Sequence, residues 1–172
     1  MLAAQVNIST AVDWDKEWLK CHLDPLYFTV TYGCILDSVL GRIPFFPYRH
    51  LVKILSLIQE NQSTIILKGR QEGFTSLIAH YALWMVLFHE GAQVIILSKS
   101  EVAAEKTLAS ARYVWMNLPV KLMVPVGRDQ SSLLEFPVLG SQLRALSSTP
   151  TSGIGFGDAR LVIRDEFDFH EY

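Results

Sequence analysis

The stretch from Ser63 to Ser98 constrains the fold more than any other part of the chain. It begins with "STIILKG", a β-branched and apolar run that reads as a buried strand. "TSLIAHYALWMVLFHEG" follows, a helix apolar nearly all round and closed by Gly91, and then "AQVIILSKS", a second apolar strand. Strand, helix and strand in this order predict a β-α-β unit, the connection that parallel strands need. The flanking segments continue the alternation. "SEVAAEKTLASARYVWMNLP" predicts a helix capped by Ser100 and ended near Pro119. "LLEFPVLGSQLRALSS" resembles two short strands around "PVLG", and Leu161 to Ile163 form a last apolar strand that runs into acidic residues. Upstream, Leu51, Ile54, Leu55 and Ile58 have amphipathic-helix spacing, after the proline-punctuated loop "GRIPFFPYRH". The opening region through about Asp24 reads as a helix with Trp14, Trp18 and Leu19 on one face, while "PLYFTVTYGCIL" suits either a strand or a helix. The predicted class is α/β with a largely parallel sheet flanked by helices, whose ligand crevice lies at the carboxyl ends of the strands.

Composition narrows the partners. A chain of 172 residues is long enough for one domain, since a core of that size buries roughly 70% of the unfolded surface. The net charge of -2 is no global basic signature, so a nucleic acid would have to meet a local patch. Only 19% of residues are charged while 50% are apolar, which implies surface meant for a partner or for further chain. Cys21 and Cys34 have neither the number nor the spacing of a disulfide framework or zinc site; they read as buried thiols in a reducing cytoplasm. "MLAAQVNIST" lacks the pattern of a signal peptide. The run from Leu77 to Phe88 is interrupted by His80 and is shorter than the roughly 20 residues that span a bilayer, so no membrane partner is expected.

The turn between the first strand and the long helix carries the sharpest chemistry. Backbone N–H groups at a strand-to-helix turn, with the positive end of the helix dipole, suit a polyphosphate. Gly73 lets the backbone approach the phosphate and Thr75 can place a hydroxyl on Mg²⁺. Phe74 stands where the common pattern puts lysine, whereas Lys68 occupies the first glycine position and enters the loop from its other end. Arg70 adds a second cation, able to bind γ-phosphate oxygens as a fork. About 90 residues later, the apolar strand ends in Asp165-Glu166. There the first carboxylate would hold Mg²⁺ and the second would orient and deprotonate the attacking water. The alternative for each motif is a solvated turn, and it is their combination and order that point to nucleotide binding.

Other candidates have plainer readings. His80, Trp84, Tyr113 and Trp115 fall in helical patterns and read as core. Asp168, His170 and Glu171 read as solvated neighbours of a strand end, not metal ligands. "STPTSGIGFGD", Ser148 to Asp158, reads either as a flexible connection or as a mobile loop near the nucleotide or DNA.

Together "DPLYFTVTY", "IPFFPYRHLVKIL", "ILKGRQEGFTS", "VIILSKSEVAAEKTL" and "GSQLRALSSTPTSGIGFGDARLVIRDE" resemble the large terminase subunit of tailed bacteriophages, the ATP-driven motor that packages DNA into a prohead. The resemblance covers most of the chain and implies a P-loop NTPase-like (ASCE/RecA-like) fold. It places a variant Walker A at Lys68, Gly69, Arg70, Gln71, Gly73, Phe74, Thr75 and Ser76, with Arg70 sensing the γ-phosphate or stabilising transition-state charge. Asp165 and Glu166 match the family's Walker B pair, so Mg²⁺ is expected on Asp165 and Thr75, and Glu166 as the catalytic carboxylate. The implied ligands are ATP and Mg²⁺. The implied partners are double-stranded DNA, a portal protein, a small terminase subunit and further copies of the chain in a ring, in the cytoplasm of a bacterial host.

Three departures accompany the resemblance. Pro47-Tyr48-Arg49 stands where the family often has "PYQ" with an adenine-reading glutamine, Phe74 brings no cation, and the family continues beyond the point matching Tyr172 with a coupling motif, further strands and a nuclease domain. Residues 1–45 are therefore expected to form a helical lead-in and residues 46–172 a partial ATPase core, without the nuclease domain. In the family fold, the strand bearing the coupling motif lies between the Walker A and Walker B strands. Its absence is expected to leave a gap with exposed apolar side chains, as in a truncated gene, a split subunit or a fragment. The rival expectations are a helicase-like ATPase that remodels nucleic acid, and an inactive prophage remnant or assembly module.

Overall fold

The computed structural model describes residues 12–67, 69, 72–148 and 158–165. The first helix, α1 (Trp14–Leu23), is capped by Asp13, whose carboxylate accepts from the Lys16 amide. Its inward stripe is the partly buried Trp14 and the buried Glu17 and Cys21, at positions i, i+3 and i+7, whereas Trp18 is 38% and Leu19 51% exposed. The expected apolar face was thus displaced by about one residue, because Glu17 turns inward. Its carboxylate accepts from the Tyr27 hydroxyl at 2.6 Å and the Tyr32 hydroxyl at 2.8 Å, both on the next helix.

That helix, α2 (Pro25–Tyr32), begins at Pro25, with Asp24 accepting from the Leu26 amide at 2.7 Å. It settles the ambiguity of "PLYFTVTYGCIL": helix to Tyr32, then strand from Cys34, divided at Gly33. A Cβ on Gly33 would lie 2.1 Å from the Thr29 carbonyl oxygen and 2.8 Å from His80 Cδ2, so only glycine fits the junction. The strand is β1 (Cys34–Asp37), which pairs antiparallel with β2 (Gly41–Pro44) in a small hairpin. Asp37 closes the turn by accepting from the Val39 and Leu40 amides.

After α3 (Arg49–Glu60), which buries Leu51 and Leu55, comes α4 (Phe74–Phe88). Every residue from Leu77 to Phe88 is buried, as a helix apolar all round requires. It packs against α1, α2, α3 and the sheet, and against α5 (Glu101–Met116). Cys21, Phe28, Cys34 and Phe45 join the same hydrophobic cluster as α4, so the described part of the lead-in shares the core.

The main sheet has five strands: β3 (Gln93–Ser98), β4 (Asp129–Gln130), β5 (Leu133–Phe136), β6 (Ser141–Ser147) and β7 (Leu161–Arg164), in the order β4-β5-β6-β3-β7. β3 lies between β6 and β7 and is parallel to both, with Val94 opposite Leu143 on one side and Leu161 on the other. β4, β5 and β6 are antiparallel. The molecule is α/β as expected, but the sheet is mixed and not largely parallel, because the turn at 137–140 is too short for a crossover and forces β5 and β6 into a hairpin.

A second difference concerns "STIILKG". Residues 64–67 form no strand among the described residues, and Ile65 and Leu67 are 88% and 96% exposed. A run of strand-forming residues becomes a strand only where a neighbour supplies the ladder, and the sheet of described residues ends at β7.

Candidate functional site

The amino-terminus of α4 is shaped by Gly73, whose φ of 74° and ψ of 6° are left-handed. Among the described residues no side chain accepts a capping hydrogen bond at this end of the helix. It therefore presents first-turn amides and the positive end of the dipole to whatever lies in front of it. Thr75 sits in that first turn and is exposed.

Asp165 reaches the same place from the carboxyl end of β7. Its amide donates to the Leu97 carbonyl at 2.9 Å, which fixes the residue beside the end of β3. Thr75 Oγ1 donates to Asp165 Oδ2 at 3.4 Å, a long contact between residues 90 positions apart. The fold thus joins the two motif ends that carry the expected metal-binding hydroxyl and carboxylate. Both are hard oxygen donors of the kind Mg²⁺ takes alongside phosphate oxygens and water. Among the described residues no cluster of three or more His, Cys, Asp or Glu side chains forms a self-contained metal cage.

Thr75 and Asp165 open into a cleft of about 270 Å³ whose other walls are Ser98, Lys99, Ala103, Lys106 and Thr107. Ser98 ends β3, and Ser100 starts α5 by accepting from the Ala103 amide at 3.2 Å. Ala103, Lys106 and Thr107 fall at i, i+3 and i+4, one face of α5 turned toward the amino-terminus of α4. Ser98 and Thr107 are buried residues on the cleft wall. Among the described residues the lining carries two lysines, Lys99 and Lys106, and one carboxylate, Asp165.

Of the other expected site residues, Gly69 is exposed and Phe74 packs against the core. Ser76 points its carbonyl at His80 and lines a different cavity. Lys68, Arg70, Gln71 and Glu166 lie outside the described residues, as do Asp168, His170, Glu171 and residues 149–157 of the glycine-rich loop. Arg49 is exposed at the start of α3. Reading the sequence missed Ser98, Lys99, Lys106 and Thr107. "SKS" at a strand end and the i, i+3, i+4 spacing on α5 were visible, but only the docking of α5 shows that they face Thr75.

The second cavity, about 360 Å³, is lined by Cys34, Ile35, Leu36, Ser76, His80, Ala109, Ser110 and Tyr113. His80 is 1% exposed, stacks on Phe45 and makes a 2.6 Å Nδ1 contact with the Ser76 carbonyl, which requires the proton on Nδ1. Nε2 has no hydrogen-bond partner. Burial lowers the imidazole pKa to about 4, so the ring is neutral at pH 7. Its packing is that of the core histidine expected from its apolar helix.

No protein-family model matches the chain, and no curated protein matches it. No helix among the described residues is long and apolar enough to cross a membrane.

Proposed function

We propose that the cleft between α4, α5 and β7 binds Mg-ATP, and that the chain is the amino-terminal ATPase portion of a terminase-like DNA-packaging motor. The observation that carries the reading is the meeting of Thr75 with Asp165, each at the end of a motif that nucleotide hydrolysis needs. A helix amino-terminus, a hydroxyl, a carboxylate and two lysines converge there among the described residues. These are the parts that position a polyphosphate and stabilise its charge.

In this reading the α4 amides hold phosphate oxygens, while Lys68 and Arg70 supply charge from the loop. A bound Mg²⁺ would supply charge neutralisation for the phosphates. Thr75 and Asp165 would hold it, and Glu166 would take the proton of the attacking water. Coupling to double-stranded DNA, to a portal protein and to a ring of copies follows from the terminase resemblance and belongs to the proposal.

Calorimetry with Mg-ATP tests the site. Binding by the wild-type chain, at least tenfold weaker in Thr75→Ala and Asp165→Asn and dependent on Mg²⁺, is the expected result. Glu166→Gln should keep binding and lose turnover, whereas Lys68→Ala should weaken binding itself. Failure of the wild type to bind nucleotide would overturn the assignment.

A further inference from the structure

We infer that Lys106, on α5, is a phosphate-binding residue of this cleft and supplies charge to the terminal phosphate of the bound nucleotide; the inference rests on the nucleotide reading above. The starting point is the first residue of α4. The residue before Thr75 is Phe74, an aromatic side chain packed against the core, so this helix terminus brings no cation of its own at that position. The fold brings one from elsewhere. Lys106 lines the same cleft as Thr75 and Asp165, although it follows Thr75 by 31 residues (106 − 75).

Its placement is held by the element and not by chance of a long side chain. Ser100 caps α5, and Ala104, Thr107, Leu108 and Ala111 are buried on the face that docks the helix. Lys106 is therefore carried on a rigid, packed helix, with its neighbours Ala103 and Thr107 also on the cleft wall. Thr107 and Ser98 are buried residues on the same wall. A cation opposite a helix amino-terminus is chemistry for an anion with several oxygens.

Thr75 and Asp165 would hold a Mg²⁺, which would supply charge neutralisation to the phosphates. Amides at the α4 terminus serve an inner phosphate. Lys106 and Thr107 line the cleft from the α5 side, and in this inference that wall takes the outermost phosphate. An ammonium there is a point charge on a flexible stem, fitted to an oxygen that moves during transfer.

The test is titration calorimetry of the full 172-residue chain with Mg-ATP and, separately, Mg-ADP, for wild type, Lys106→Met and Lys106→Arg. Lys106 is exposed, so the fold should survive, and circular dichroism verifies this for each variant. The expected result is a tenfold or greater loss of Mg-ATP affinity in Lys106→Met, less than a twofold change for Mg-ADP, and partial recovery in Lys106→Arg. Wild-type binding of both nucleotides with an unchanged Mg-ATP affinity in Lys106→Met would overturn the role of Lys106 and leave the nucleotide site standing. Equal weakening of both nucleotides would overturn the assignment to the terminal phosphate. If the wild type bound neither, the nucleotide reading itself would fall, and this inference with it.

Discussion

His80 shows how one residue can set the acid limit of the fold. Its imidazole titrates near 6.5 in an unfolded chain and at about 4 in the folded one, because burial penalises the charged ring. Between those values the unfolded chain takes up a proton that the folded chain refuses. The stabilisation is therefore complete above about pH 6.5 and is lost as pH falls toward 4, with a full size on the order of 3 kcal/mol. Denaturant titrations at pH 7, 5.5 and 4.5 should show this loss in the wild type. His80→Phe keeps an aromatic ring against Phe45 and should flatten the profile over that window. Glu17 provides an internal comparison. The Tyr27 hydroxyl, and then that of Tyr32, hold its carboxyl below the usual value, so its contribution disappears at lower pH and should persist in the His80 variant. A pH profile unchanged by His80→Phe would show that this ring is not the group responsible.

At the scale of elements, α4 links the core to the site. Its buried body fixes the direction of the helix, and its first turn holds Thr75. Leu83 is fully buried in the middle of it, so Leu83→Ala should cost about 2 to 5 kcal/mol in denaturant unfolding. Gly73→Ala should act at the other end. A side chain is strained at φ 74°, and its Cβ would come within 3.3 Å of Leu51 Cδ1. The expected cost is about 1 to 2 kcal/mol, together with weaker nucleotide binding as the first turn shifts. Much of this element was legible beforehand, because continuous apolar character, a preceding glycine and Gly91 after its end are local signals. The α1 face was less legible. Trp18 and Leu19 look apolar enough to be buried, yet the hydrogen bonds that draw Glu17 inward come from Tyr27 and Tyr32 on another helix.

For the whole molecule, the main consequence is the apolar surface left around residues 64–67 and β7. Ile65 and Leu67 are almost fully exposed, Val162 is about half exposed, and β7 is the last strand among the described residues. Exposed apolar side chains next to a sheet edge favour association. The 172-residue chain should bind a hydrophobic dye and self-associate with rising concentration. Ile65→Lys with Leu67→Lys should reduce both, as read by dye fluorescence and light scattering. Equal behaviour of the double variant would place the sticky surface elsewhere.

The sequence by itself determined the elements whose causes are local: the buried α4, the Ser100 cap of α5, the apolar strands β3 and β7, and the hairpin whose short turn joins β5 to β6. It also marked Thr75 and Asp165 as chemistry-bearing residues. Tertiary structure alone decided that those two meet at 3.4 Å, that Lys106 and Thr107 face them, and that the run at 64–67 stays unpaired. The physical reason is that periodicity, caps and turns act over a few residues, whereas strand pairing and cleft composition depend on which distant surfaces pack together.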